Sequence, residues 1–267
     1  MSPSLSESIR VGLCPDRVSF ARYGRGLRPR LLEKDTLPLE PGTTQEPWRA
    51  PVRALPRLLE ARVRGVADIS VVLSNHFVRY LLLDTDARIS SGNEWREYAS
   101  HRCEKIYGAR ARDWDIQVSE CGAPHARLAS AVDRQLLTAL AAAFAGSPGR
   151  LRSVQPYLMV AFNRTLPAIA RASFWFVLHE PGRLLLGLIR DGRWRSLRGR
   201  RSDAGWSETL AQTLEREGAL IAPEETSRDV VVCGPGADTP AAANGFNFST
   251  LPSPFSAGEH HYAMVCA

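Results

Sequence analysis

Residues 174–194, FWFVLHEPGRLLLGLIRDGRW, decide the fold, because two tight-turn signals cut them into strands of matched length. Pro181-Gly182 separates the apolar run 173–178 from 183–189, and Asp191-Gly192 separates the latter from 193–197. Proline followed by glycine, and aspartate followed by glycine, are two-residue hairpin chemistry, so the spacing predicts a three-stranded antiparallel meander. Downstream, 204–221 has helical periodicity and DVVVC (229–233) reads as a buried strand. A Pro/Ala/Ser/Asn-rich loop over 239–258 and a last strand over 261–266 are expected to follow.

The first half of the chain reads the same way. Strands are expected at 9–13 (IRVGL), 17–23 (RVSFARY) and 27–37, with turns at Cys14-Pro15-Asp16 and Gly24-Arg25-Gly26. After a Pro-rich connection over 38–51, Leu55, Leu58, Leu59 and Val63 mark one face of a helix. The stretch 68–84, DISVVLSNHFVRYLLLD, is strand-like but broken at Ser74-Asn75. Either the chain turns back there or the strand is long and bulged, and both readings leave Arg79 and Asp84 near strand ends. A helix through Trp95, Tyr98, Ala99, Arg102, Cys103 and Ile106 follows, capped by Ser91. Then come a strand at 114–119, an alanine-leucine helix over 127–145 stopped by Gly146-Ser147-Pro148-Gly149, a strand at 151–154 and a helix over 156–164. Pro15-Asp16-Arg17 aligns with Pro181-Gly182-Arg183, and Gly26 with Gly192, at one constant offset. The chain is therefore expected to hold two halves of one plan, 1–168 and a smaller 169–267.

Meander, helix and strand, repeated twice, is the plan of an α/β actin-like (ASKHA) fold: two ribonuclease-H-like subdomains, each a mixed sheet flanked by helices. Within it, VVLSNHFVRYLLL (71–83), RLASAVDRQLL (127–137), QPYLMVAFN (155–163) and 174–194 together resemble the actin-like cytoplasmic proteins of type IV pilus and type II secretion platforms. These are the pilM family, the cytoplasmic half of the gspL family and their mannose-sensitive-haemagglutinin (MSHA) pilus relatives. The resemblance implies a non-catalytic scaffold in the cytoplasm, peripheral to the inner membrane. The implied partners are an N-terminal cytoplasmic peptide of a bitopic platform protein and a secretion ATPase.

An actin-type ATPase needs turn amides that cradle phosphates and carboxylates that hold Mg²⁺ through water. The first turn supplies Asp16, but Pro15 removes a donor amide; the second supplies Glu180 beside Pro181. Gly234 and Gly236, after the buried strand, are the best-preserved element, equally readable as a plain turn out of the sheet. With two of three phosphate elements degenerate, ATP hydrolysis is not expected. If ATP and Mg²⁺ bind at all, Asp16, Glu180, Gly234 and Gly236 are the residues that would hold them, and an ATP-dependent switch is the alternative reading.

The remaining chemistry is sparse. Hydrophobic residues make up 44% of the 267 and charged residues 23%, which excludes disorder and disulfide miniproteins. Net charge is +6, and all but two of the thirty-four basic residues are arginine, densest in RDGRWRSLRGRR (190–201). Placed on the second meander, this cluster points to a docking or anionic-lipid surface rather than to a nucleic-acid groove. Five cysteines with no CxxC fit reduced thiols, not zinc or a disulfide framework. No basic-then-apolar leader opens the chain, and 136–146 is too short to span a bilayer. A two-metal nuclease would have only Asp16, Asp84 and Glu180 to work with. Ser74-Asn75-His76 places neighbours on opposite faces and makes no relay, and His260-His261 lacks further ligands. Arg79, Tyr80, Trp194 and Arg195 are the candidate partner-binding residues, since Arg, Trp and Tyr dominate binding hot spots. For Tyr80 and Trp194 a core role is the competing reading.

Overall fold

A computed structural model of the chain describes residues 7–24, 26, 30–40, 46–84, 88–119, 126–169, 171–221, 226–234, 244–250 and 262–265. The first meander is β1 (Glu7–Cys14), β2 (Arg17–Tyr23) and β3 (Leu31–Pro38). Cys14 pairs Arg17, which leaves Pro15 and Asp16 as the two-residue turn. Helix α1 (Arg49–Arg62) then carries the chain to β4 (Ala67–Leu73), which lies parallel to β1, and β8 (Arg150–Pro156) adds parallel to β4. The strand order is β3-β2-β1-β4-β8.

Alternation splits this sheet into two unlike faces. Ile9, Val11, Leu13, Val18, Phe20, Ile69, Val71 and Leu73 share one face through the register and are at most 1% exposed. Helix α1 covers that face, as its Arg62 pairs with Glu33 and Asp35, which lie on the same side. It packs in turn on α3 (Arg134–Phe144), burying Leu55, Leu59, Leu136 and Leu140. The other face carries Arg10, Gly12, Ser19, Lys34 and Thr36, too polar and too small to hold a helix.

After α4 (Tyr157–Thr165), the second meander repeats the plan with β9 (Phe174–Glu180), β10 (Arg183–Arg190) and β11 (Arg193–Arg200). Helix α5 (Trp206–Gly218) leads to β12 (Asp229–Cys233), parallel to β9, and β13 (Asn247–Thr250) adds parallel to β12. The order, β11-β10-β9-β12-β13, matches that of the first sheet strand for strand. Glu180 pairs Arg183 across Pro181-Gly182, the repeat offset seen in the sequence. Asp191 and Gly192 have φ of 50° and 72°, the left-handed geometry of a tight hairpin.

A third sheet, β5-β7-β6, is formed by the chain that follows the first meander in sequence: β5 (Val78–Leu83), β7 (Arg127–Asp133) and β6 (Trp114–Val118). It is backed by α2 (Gly92–Tyr107), whose Ser91 and Glu94 form a reciprocal capping box. Leu81, Leu83, Trp95, Ala99 and Cys103 make its core.

Four expectations are corrected. The break at Ser74-Asn75 neither returns the strand nor bulges it: it hands the chain from the first sheet to the third, where β5 pairs β7 rather than β4. Residues 127–145 are not one helix but β7 followed by α3, divided at Asp133, whose carboxylate accepts from the Gln135 amide at 2.8 Å. Alanine and leucine satisfy either period there, and pairing with β5 decides. Asn247–Thr250, expected as loop, is a strand because a parallel neighbour satisfies its backbone. Residues 262–265 form a turn, with the Val265 amide donating to the Tyr262 carbonyl, not a strand. The chain divides into two compact units, Met1–Val78 with Val132–Val160 and Gly258–Ala267, and Arg79–Ala131 with Ala161–Ala257. The last strand of the first five-stranded sheet ends at Pro156 and the first of the second begins at Phe174.

Burial pushes the Cys103 thiol up to about 11 from about 9. The stability gained by keeping it neutral is complete below pH 9 and drains away as pH rises toward 11. Urea midpoints measured across that window should fall less steeply for Cys103→Ala than for the wild type; parallel declines would refute the assignment.

Candidate functional site

The first turn presents its carboxylate already engaged. Arg17, nearly buried, donates to both Asp16 oxygens at 3.0 and 2.9 Å. The Asp16 carbonyl accepts from the Leu39 amide at 2.7 Å. Pro15 has no amide to offer. Behind the turn, residues 262–265 occupy the polar face of the sheet. A Cβ on Gly12 would stand 3.0 Å from Val265 Cγ1 and 3.4 Å from Met264 Cβ, and Cys14 Sγ lies 3.2 Å from Met264 Sδ. Tyr23 Oη donates to the Val265 carbonyl at 2.9 Å, and Lys34 sits 4.9 Å above the Tyr262 ring. The small residues here make room for the chain's own turn.

The second turn is packed just as closely. Glu180 is 2% exposed. Pairing of Cys233 with Leu178 brings Gly234 beside His179, the residue before Glu180. Gly234 has φ +128°, and a Cβ there would meet the His179 carbonyl oxygen at 2.1 Å. Its glycine character is therefore needed for strand-to-strand approach. The His179 ring stacks on Trp206 at 4.3 Å. Gly236 lies outside the described residues. A magnesium nucleotide asks for open amides and carboxylates free to hold metal-bound water. A proline turn, an arginine-paired Asp16, a buried Glu180 and a Gly234 closed by His179 do not fit that group. Among the described residues no cluster of three His, Cys, Asp or Glu side chains is arranged to hold a metal. His76 donates its amide to the Ser74 hydroxyl at 3.1 Å, so this segment is a turn.

The partner-binding candidates fall in two places. Arg79 and Tyr80 are half-buried on β5. Burial lowers the Arg79 pKa from its ordinary value, and the charges of Arg183 and Arg110 lower it further. Arg110 itself lies 5.9 Å from both the Tyr107 and Trp114 rings. This convergence of arginines was illegible beforehand, because the three are far apart in sequence. Trp194 is half-buried, its ring 4.6 Å from Phe162 and seated over Gly187, where a Cβ would strike it. Arg195 is exposed. Arg183 starts β10, whereas Trp194 pairs Ile189 near its other end. Six residues of strand, roughly 20 Å, separate the two candidate groups. The arginine cluster runs along β11, a sheet edge, where Arg200 pairs with the buried Glu217 and the other charges discourage edge-to-edge pairing.

With this geometry in view, the class of the fold is settled: the chain has the actin-like fold. Solved structures similar to it include the cytoplasmic domain of EpsL, an inner-membrane component of the type II secretion system of Vibrio cholerae. That match has 14% identity and TM-score 0.61, and it spans 94% of this chain and 91% of that one. The PilM–PilN type IV pilus biogenesis complex matches at 12% identity and TM-score 0.62, over 86% and 82%. A Bacteroides thetaiotaomicron protein with an actin-like ATPase fold matches at 9% and 0.57, over 87% and 84%. No protein-family profile and no curated protein sequence matches the chain. No helix among the described residues is long and apolar enough to cross a membrane.

Two substitutions test this packing. Gly234→Ala should cost about 3 kcal/mol in urea unfolding, from overpacking plus left-handed strain. Arg200→Met should cost about 3 kcal/mol by stranding the Glu217 charge, and adding Glu217→Leu should recover most of it. A single variant as stable as the wild type would contradict the corresponding contact.

Proposed function

We propose that the protein is a non-catalytic, actin-like scaffold that docks, in the cytoplasm, on the inner-membrane assembly platform of a type IV pilus or a type II secretion-like system. The observation that carries this reading is the likeness, over most of both chains, to EpsL and to PilM held in complex with PilN, joined to turns whose residues do not suit a magnesium nucleotide. The fold then serves as a shaped surface. In this reading the first partner is the N-terminal cytoplasmic peptide of a bitopic membrane protein, and the second is the secretion ATPase. The arginine-rich β11 rests against anionic headgroups beside them, each basic residue adding ~1 kcal/mol. Nucleic acid is not a partner in this scheme, and neither ATP nor Mg²⁺ is a cofactor.

Arg79 and Tyr80 are the proposed anchors of the peptide, because their surroundings already concentrate positive charge and aromatic surface. Trp194 and Arg195 form a second contact at the far end of β10.

Two measurements test the proposal. Titration with a fluorescent ATP analogue and Mg²⁺ should give no saturable binding; micromolar binding abolished by Asp16→Ala would instead support an actin-like nucleotide switch in the same machinery. The N-terminal cytoplasmic peptide of the bitopic membrane protein of such a platform should bind, and Arg79→Glu should weaken it at least about tenfold, as for a buried hot-spot arginine. Binding indifferent to both Arg79→Glu and Trp194→Ala would remove these residues from the interface.

A further inference from the structure

Beside the first sheet lies a groove that no turn or candidate residue above accounts for. It runs between β3, the edge strand, and α1, has a volume of about 790 Å³, and is walled by Leu37, Leu39 and Leu58. It exists because α1 turns small side chains, Ala50, Ala54 and Ala61, toward the strand where larger ones would close the gap. Leu37 is 37% exposed, a large apolar side chain left in water at the sheet edge.

Charge marks its rim. Arg53 and Arg57 stand one turn apart on α1, both exposed, and neither has an acidic partner among the described residues. Their neighbours are spent: Arg49 pairs Glu46, Arg22 pairs Glu33, and Arg62 pairs Glu33 and Asp35. Two like charges four residues apart destabilise an isolated helix slightly, so their pairing contributes nothing to the fold. The groove thus offers an apolar trough with two guanidinium groups, unpaired with any described acid, along one lip, complementary to carboxylates flanking an apolar face.

The strand edge narrows the choice of occupant. The Thr36 amide donates to the Asp35 carboxylate at 2.8 Å, and Pro38 has no amide. This end of β3 is therefore blunted against strand addition, and the trough must be read through side chains.

We propose that the α1–β3 groove is a docking site for an acidic amphipathic helix of a partner protein, its apolar face seated on Leu37, Leu39 and Leu58 and its carboxylates on Arg53 and Arg57. The site stands apart from the peptide contact proposed above, on a different sheet, and its test does not depend on which machinery is served.

The probe is a fluorescein-labelled, lactam-stapled helix of about four turns, built from leucine, alanine and glutamate with glutamates at i and i+4. Its lysine-for-glutamate counterpart, an unstapled alternating Leu-Glu peptide and a single-stranded oligonucleotide are the competitors. Fluorescence anisotropy with the full chain should give saturable binding of the glutamate helix alone. Arg53→Glu/Arg57→Glu and, separately, Leu37→Asp should each weaken it at least tenfold, while Arg79→Glu leaves it unchanged. All of these residues are partly or fully exposed, and unaltered circular dichroism melts would show the variants folded. Absence of binding overturns the proposal, as does binding unchanged by the double arginine variant. Preference for the lysine helix, the extended peptide or the oligonucleotide overturns it as well. Concentration-dependent dimerisation lost in Arg53→Glu/Arg57→Glu, read by sedimentation, would assign the groove to a second copy of this chain instead.

Discussion

Everything else in the structure depends on the parallel pairing of each meander's first strand with the strand that follows its helix, β1 with β4 and β9 with β12. A parallel pair cannot be closed by a hairpin, so the connecting chain must cross over one face of the sheet. In the first half that crossover is α1, which covers the face where Ile9, Val11, Leu13, Val18, Phe20, Ile69, Val71 and Leu73 are buried, while Arg10, Gly12 and Ser19 lie on the other. The centre strand is then hydrogen-bonded on both edges and cannot move without dismantling the sheet. The hairpin turns at Pro15-Asp16 and Pro181-Gly182 are held at the ends of these strands.

That rigidity explains how the fold accommodates proline at both turns. A two-residue turn between paired strands is sterically complete with proline in it, so the missing amide costs the fold nothing. The space beside Gly12 is filled by Met264 and Val265, and the space beside Gly234 by the His179 backbone. Both spaces are used for packing.

Much of this was legible in advance. The turn dipeptides, the apolar runs and the constant offset between Pro15-Asp16-Arg17 and Pro181-Gly182-Arg183 are local signals, and they yielded both meanders and the two hairpin turns. The capping box at Ser91 was half visible, as the serine. Residues 127–145 were not legible, because alanine-rich sequence obeys strand and helix periods alike and only the partner strand β5 breaks the tie. Nor was the convergence of Arg79, Arg110 and Arg183, since their separation in sequence carries no trace of their proximity.

The sequence by itself determined the class of fold and the place of its tight turns, for a proline or a glycine acts on its own few bonds wherever it stands. Tertiary structure alone decided that Asp16 is tied to Arg17, that Glu180 is buried, that Trp194 rests on Phe162 far along β10 from Arg183, and that α1 and β3 enclose a trough. These depend on which faces meet, and the meeting of faces is set by hydrophobic burial summed over many residues. No short stretch of sequence contains that sum.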